Sequence, residues 1–87
     1  MNNETKGMVT RGYILVETRV GRAKEVIKAL QDLKFKEVKS VDFVLGPYDV
    51  IVVVEHDNMD AIGRLITDIA HSIPDIQRTV TCFSIGM

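Results

Sequence analysis

The side chains in this sequence that carry reactive chemistry are few and scattered. The only histidines, His56 and His71, have no carboxylate or cysteine at a metal-ligand spacing. Cys82 is the sole cysteine, so it forms no intramolecular disulfide, and inside a strand it reads as a small core residue rather than a nucleophile. No glycine-rich phosphate loop, nucleophile elbow or HExxH stands anywhere in the chain. These residues give no reason to assign an enzyme, a metal or a cofactor. Two polar segments remain, Leu45-Gly46-Pro47-Tyr48-Asp49 and Arg78-Thr79-Val80-Thr81. On residue type alone each has a plain role: Asp49 as a turn acceptor, Tyr48 packed at a sheet edge, Thr79 and Thr81 as strand formers.

The elements that position those segments follow from periodicity. Ala23, Val26, Ile27, Leu30 and Leu33 form one apolar stripe at helical spacing, which predicts a helix from about Gly21 to Leu33. Ile62, Leu65, Ile66, Ile69, Ala70 and Ile73 form a second stripe, with Asp57 or Asn58 as N-cap, Asp60 in the first turn, His71 near the dipole's negative end and Pro74 as the stop. Val38 to Leu45 and Asp49 to Glu55 flank Gly46-Pro47-Tyr48 and predict an antiparallel hairpin. With strands at Tyr13–Val16 and Thr79–Ile85 the order is βαββαβ, an α+β, ferredoxin-like arrangement whose spatial strand order is four, one, three, two.

Two of the strands differ from the others. Tyr13-Ile14-Leu15-Val16 and Val50-Ile51-Val52-Val53-Val54 are apolar at every position, whereas Val38–Leu45 and Thr79–Ile85 alternate. Neighbouring side chains on a strand point to opposite faces, so an unbroken apolar run needs cover on both. The expected strand order places those two runs in the centre. Two helices cover one face, and the other would expose ~400 to 600 Å² of apolar surface, at or beyond what soluble monomers carry. At ~25 cal/mol per Å² the gross driving force for covering it is on the order of 10 kcal/mol before association costs. The expected cover is a second copy of the chain, giving a homodimer with sheets face to face, as in a dimeric α/β barrel.

Composition bounds the partners. The sequence has 87 residues and a formal net charge of −1, with 11 basic residues scattered rather than gathered on a face, which argues against direct nucleic-acid binding. Lys34, Lys36 and Lys39 are the nearest thing to a basic cluster. No apolar run reaches the roughly 18 residues of a membrane span, and the polar start has no signal-peptide pattern. Together with the single cysteine this fits a cytoplasmic, reducing setting. Residues 1–7 read as a disordered N-terminal tail and residues 8–87 as one domain.

An apolar strand followed by glycine and a charged helix, then Gly-x-Tyr-Asp entering an apolar strand, then Ile-Pro-Asp-Ile followed by Thr-x-Thr, resembles the effector domain of the Lrp/AsnC regulators. That domain is also called RAM, for regulation of amino-acid metabolism. The resemblance runs from about Val9 to Ile85 and includes no helix-turn-helix, as in a stand-alone form. It implies sheet-to-sheet dimers, further assembly into octamers or related rings, and a small amino acid bound between dimers. By the same resemblance the ligand-binding residues are Gly46, Tyr48 and Asp49 of Gly-x-Tyr-Asp and Thr79 and Thr81 of Thr-x-Thr. Asp49 would pair with the ligand ammonium, while threonine hydroxyls or loop amides would donate to its carboxylate. Gly46 would allow close backbone approach, and Pro47 removes one backbone donor from the loop.

The resulting expectation is an amino-acid-binding and oligomerisation module that modulates Lrp/AsnC transcription regulators through mixed or ligand-shifted assemblies. A structural assembly module with an empty pocket is one alternative. A cofactor-free dimeric α/β barrel enzyme is another, but its stripes are aliphatic where such a site needs polar groups. An amino-acid-binding ACT domain shares the strand order, and the Gly-Pro-Tyr-Asp hairpin separates it from the present pattern.

Overall fold

A computed structural model of the protein describes residues 9–85; the expected tail, residues 1–7, lies outside the described residues. The elements are β1 (Thr10–Thr18), α1 (Ala23–Leu33), β2 (Val38–Phe43), β3 (Val50–His56), α2 (Met59–Ser72) and β4 (Ile76–Phe83). All neighbours in the sheet are antiparallel, in the order β2-β3-β1-β4. This is the ferredoxin-like α+β fold, and the two unbroken apolar runs are the central strands.

Element ends differ from the periodicity for local reasons. Helix α1 begins at Ala23 rather than Gly21 because Gly21 has φ 78 and belongs to the preceding turn. It ends through Lys34 in the left-handed region, φ 54, a place glycine normally takes. Helix α2 is capped by Asn58, whose side chain accepts from the Asp60 backbone N–H at 2.8 Å. Pro74 follows the last turn, and β4 begins at Ile76, earlier than its alternation suggested, because Ile76 already pairs with Thr18. Strand β2 stops at Phe43, although the Val44 N–H still donates to the Asp49 carbonyl at 2.9 Å.

The core lies between the helices and one face of the sheet. Ile14 and Val16 of β1 and Val50, Val52 and Val54 of β3 are fully buried against Val26 and Leu30 of α1 and Ile62, Leu65 and Ile69 of α2. Ala70, expected on the apolar stripe of α2, is exposed.

The other face carries the partners of the intervening residues. Leu15 pairs with Ile51 and Val80, and Tyr13 pairs with Val53 and Cys82, so these side chains share one surface. Tyr13, Leu15, Ile51 and Val53 are half-buried, and the helix-packed core is built from the residues that alternate with them. Cys82 is therefore exposed on this face, not a core residue, because its partner Tyr13 points away from the helices. Ion pairs border the patch, Arg11 with Glu55 at one end and Arg78 with Glu17 at the other. The side-chain hydrogen bond with Tyr13, then that with Glu55, holds the Arg11 guanidinium pKa above its ordinary value.

Candidate functional site

Three connections meet at the end of the sheet where β1 stops. Thr18, the last residue of β1, continues the buried phase of Ile14 and Val16 but is polar, and it is only 6% exposed. Its backbone N–H donates to Oδ2 of Asp49 at 2.9 Å, and its Oγ1 lies 3.2 Å from the same oxygen. The Asp49 N–H donates to the Val16 carbonyl at 2.9 Å. Asp49 thus locks the β2–β3 connection onto the end of β1 through both backbone and carboxylate.

On the opposite side Tyr48 joins the connection to β4. Arg78 Nη2 donates to the Tyr48 hydroxyl at 3.0 Å, its guanidinium carbon stands 5.5 Å from the ring centroid, and its Nε lies 3.4 Å from Glu17. The loop between β1 and α1 is fastened to the turn before β4 in the same region. Arg19 N–H donates to the Asp75 carbonyl at 2.8 Å, and Arg22 Nε donates to Asp75 Oδ2 at 2.9 Å. The hydrogen bond and charge of Asp75 keep the Arg22 guanidinium pKa above its ordinary value.

Beside the Thr18–Asp49 contact lies an open cavity of about 610 Å³, large enough for a small organic molecule. Glu17, Thr18, Arg19, Lys24, Asp49 and Gln77 supply its polar wall, and Val20, Phe43 and Pro47 its apolar one. Carboxylate, ammonium and apolar surface in one cleft suit a zwitterion with an apolar side chain. Val20 is fully exposed and Phe43 is 59% exposed, so the apolar side opens to solvent.

The residues expected to bind ligand do not all reach this cavity. Asp49 lines it, beside Pro47. Gly46 stands at the tip of the connection with φ 156, and Tyr48 is turned toward Arg78. Thr79 and Thr81 pair with Val16 and Ile14, which places them on the helix side of β4, half-buried and away from the cavity lining. Thr18, Lys24 and Gln77 were not singled out in the sequence. A signal existed for Thr18 alone, a hydroxyl at a core-phase position of an apolar strand.

The histidines serve local structure. His56 Nδ1 accepts from the Asn58 N–H at 2.9 Å in the turn before α2, and His71 sits exposed in the last turn of that helix. Among the described residues no three metal-ligating side chains gather into a group, and no helix is long and apolar enough to cross a membrane.

Comparison with known proteins connects this arrangement to a family. Residues 11–86 match the model of the Lrp/AsnC ligand-binding domain. A hypothetical protein from Pyrococcus horikoshii, PHS023, is 36% identical with a TM-score of 0.75, covering 90% of this chain and 92% of that one. The structure of FFRP-DM1 is 37% identical with a TM-score of 0.76, covering 87% and 99%. At 22% identity the fold also matches a transcriptional regulator from Neisseria meningitidis, NMB0573, solved with L-methionine, with a TM-score of 0.75 and coverage of 99% of this chain and 56% of that one. No curated protein matches the chain significantly. The match over residues 11–86, on a βαββαβ sheet with Gly-x-Tyr-Asp at its hairpin, places the chain in the Lrp/AsnC ligand-binding domain family.

Proposed function

We propose that this chain is an effector-binding and assembly module that takes up a small amino acid and modulates Lrp/AsnC-type transcription regulators. The observation that carries this reading is the Asp49 cavity at the strand ends of a family ligand-binding domain. Asp49 supplies a negative charge for the ligand ammonium, Lys24 a positive one for its carboxylate, and Val20, Phe43 and Pro47 an apolar wall for its side chain. The methionine bound by the Neisseria regulator makes L-methionine a first ligand to test. Gly46 and Tyr48 enter as candidates that shape the loop beside the cavity, and Thr79 and Thr81 as candidates on the helix side of β4, outside its lining.

In this reading the bare sheet face pairs with a second copy, and the domain spanning residues 8–87 works as a cytoplasmic homo-oligomer without catalysis. Pairing through the same face would also admit full-length regulators of the family into mixed dimers. An amino acid would shift assembly only as far as its affinities for the two states differ. Calorimetry with each of the twenty amino acids tests the site: one or more binds the wild type, and Asp49→Ala weakens it at least tenfold, the loss of a charge-assisted contact. A ligand bound equally by both proteins removes Asp49 from the site. Absence of any binding or ligand-dependent shift in Tm favours a purely structural module.

A further inference from the structure

Thr18 carries the one buried polar side chain among the described residues; its backbone N–H donates to Oδ2 of Asp49, and its hydroxyl stands within reach of the same oxygen. The Asp49 carboxylate therefore has two unequal oxygens. Oδ2 is held by Thr18, whereas Oδ1 makes no side-chain hydrogen bond among the described residues. The hydroxyl has a single proton and two acceptors within reach, Asp49 Oδ2 at 3.2 Å and the Arg19 carbonyl at 3.1 Å. It donates to one of them at a time, so the carboxylate competes for that proton with the first residue of the β1–α1 loop, which forms another wall of the same cavity.

We infer that Thr18 is a positioning residue for the effector site, fixing Oδ2 of Asp49 so that Oδ1 is the oxygen presented to a ligand ammonium. This rests on the effector-binding reading above and adds to it a residue that touches no ligand. A freely rotating carboxylate would have to be ordered on binding, and Thr18 has ordered it in advance. The backbone N–H holds the oxygen in any variant, so the hydroxyl's share is measurable by substitution. Valine keeps the shape of threonine and removes the hydroxyl; serine keeps the hydroxyl and removes a methyl.

The test is a double-mutant cycle read by calorimetry, titrating L-methionine and, in the same series, the other nineteen L-amino acids into wild type, Thr18→Val, Thr18→Ser, Asp49→Asn and the Thr18→Val/Asp49→Asn pair. Thr18→Val is expected to weaken binding roughly tenfold, the scale of one hydrogen bond to a charged group, and Thr18→Ser to stay within about twofold of wild type. Thr18→Val is expected to add no further loss once Asp49 is asparagine, because it acts through that carboxylate. Tm and sedimentation of each variant show that the fold is intact, and Thr18→Ala replaces the valine variant should the latter not fold. Full affinity in Thr18→Val with lost affinity in Asp49→Asn overturns the positioning role and leaves the effector site standing. Additive losses also overturn it. No binding to wild type, or unchanged binding in Asp49→Asn, overturns the effector site and the positioning role together.

Discussion

Backbone handedness sets opposite expectations at Gly46 and Lys34. Gly46 has φ 156, which side-chain-bearing residues rarely adopt, and an added Cβ would meet nothing within 4 Å. Any cost of Gly46→Ala is therefore conformational, about 2 kcal/mol in urea unfolding. Lys34 ends α1 at φ 54, where a side chain is a liability, so Lys34→Gly is expected to raise stability by about 0.5 to 1 kcal/mol in the same experiment. The first result would be contradicted by an unchanged midpoint, the second by a lowered one. Asp49 shows how residue type and role separate. Its carboxylate has both the turn-fastening role that residue type suggests and a place in the cavity wall, and the Thr18 contact that combines them depends on a partner 31 positions away along the chain.

At the scale of elements, helix α2 depends on its cap and on its packing against the central strands. Asn58→Ala removes the acceptor for the Asp60 N–H and is expected to cost about 1 kcal/mol of unfolding free energy. Val52→Ala, in the fully buried row of β3, is expected to cost about 2 to 3 kcal/mol by opening a void between sheet and helices. Equal costs for the two would contradict this division between cap and core. The elements themselves were legible because their signals are local. Unbroken apolar runs marked β1 and β3 as central, and the stripe from Ile62 to Ile73 marked α2. Positions decided by long-range register were not legible. The side on which Thr79, Thr81 and Cys82 fall depends on how β4 aligns with β1, including the shift between Glu17 and Thr18, and no local pattern encodes that alignment. The cavity was hidden for the same reason, since Thr18, Lys24, Asp49 and Gln77 are adjacent only after the chain has crossed the sheet.

For the whole molecule, the question is what lies against Tyr13, Leu15, Ile51, Val53 and Val80. Helices cover one face so completely that Ile14, Val16, Val50, Val52 and Val54 have no solvent exposure, while the face behind them is left to its own side chains. A border of ion pairs around an apolar centre is the usual anatomy of a protein interface. Leu15→Glu adds a charge at the middle of that patch and lies outside the helix-packed core. It is expected to shift the protein to monomer while leaving far-ultraviolet circular dichroism unchanged, and unfolding of the variant would contradict an interface role for this position. Sedimentation of the wild type at about 10 µM, the scale at which interfaces of this kind hold, tests the central claim most directly. The account predicts a mass of twice the 9.8 kDa chain or an even multiple of it, and a single monodisperse species of 9.8 kDa would contradict it.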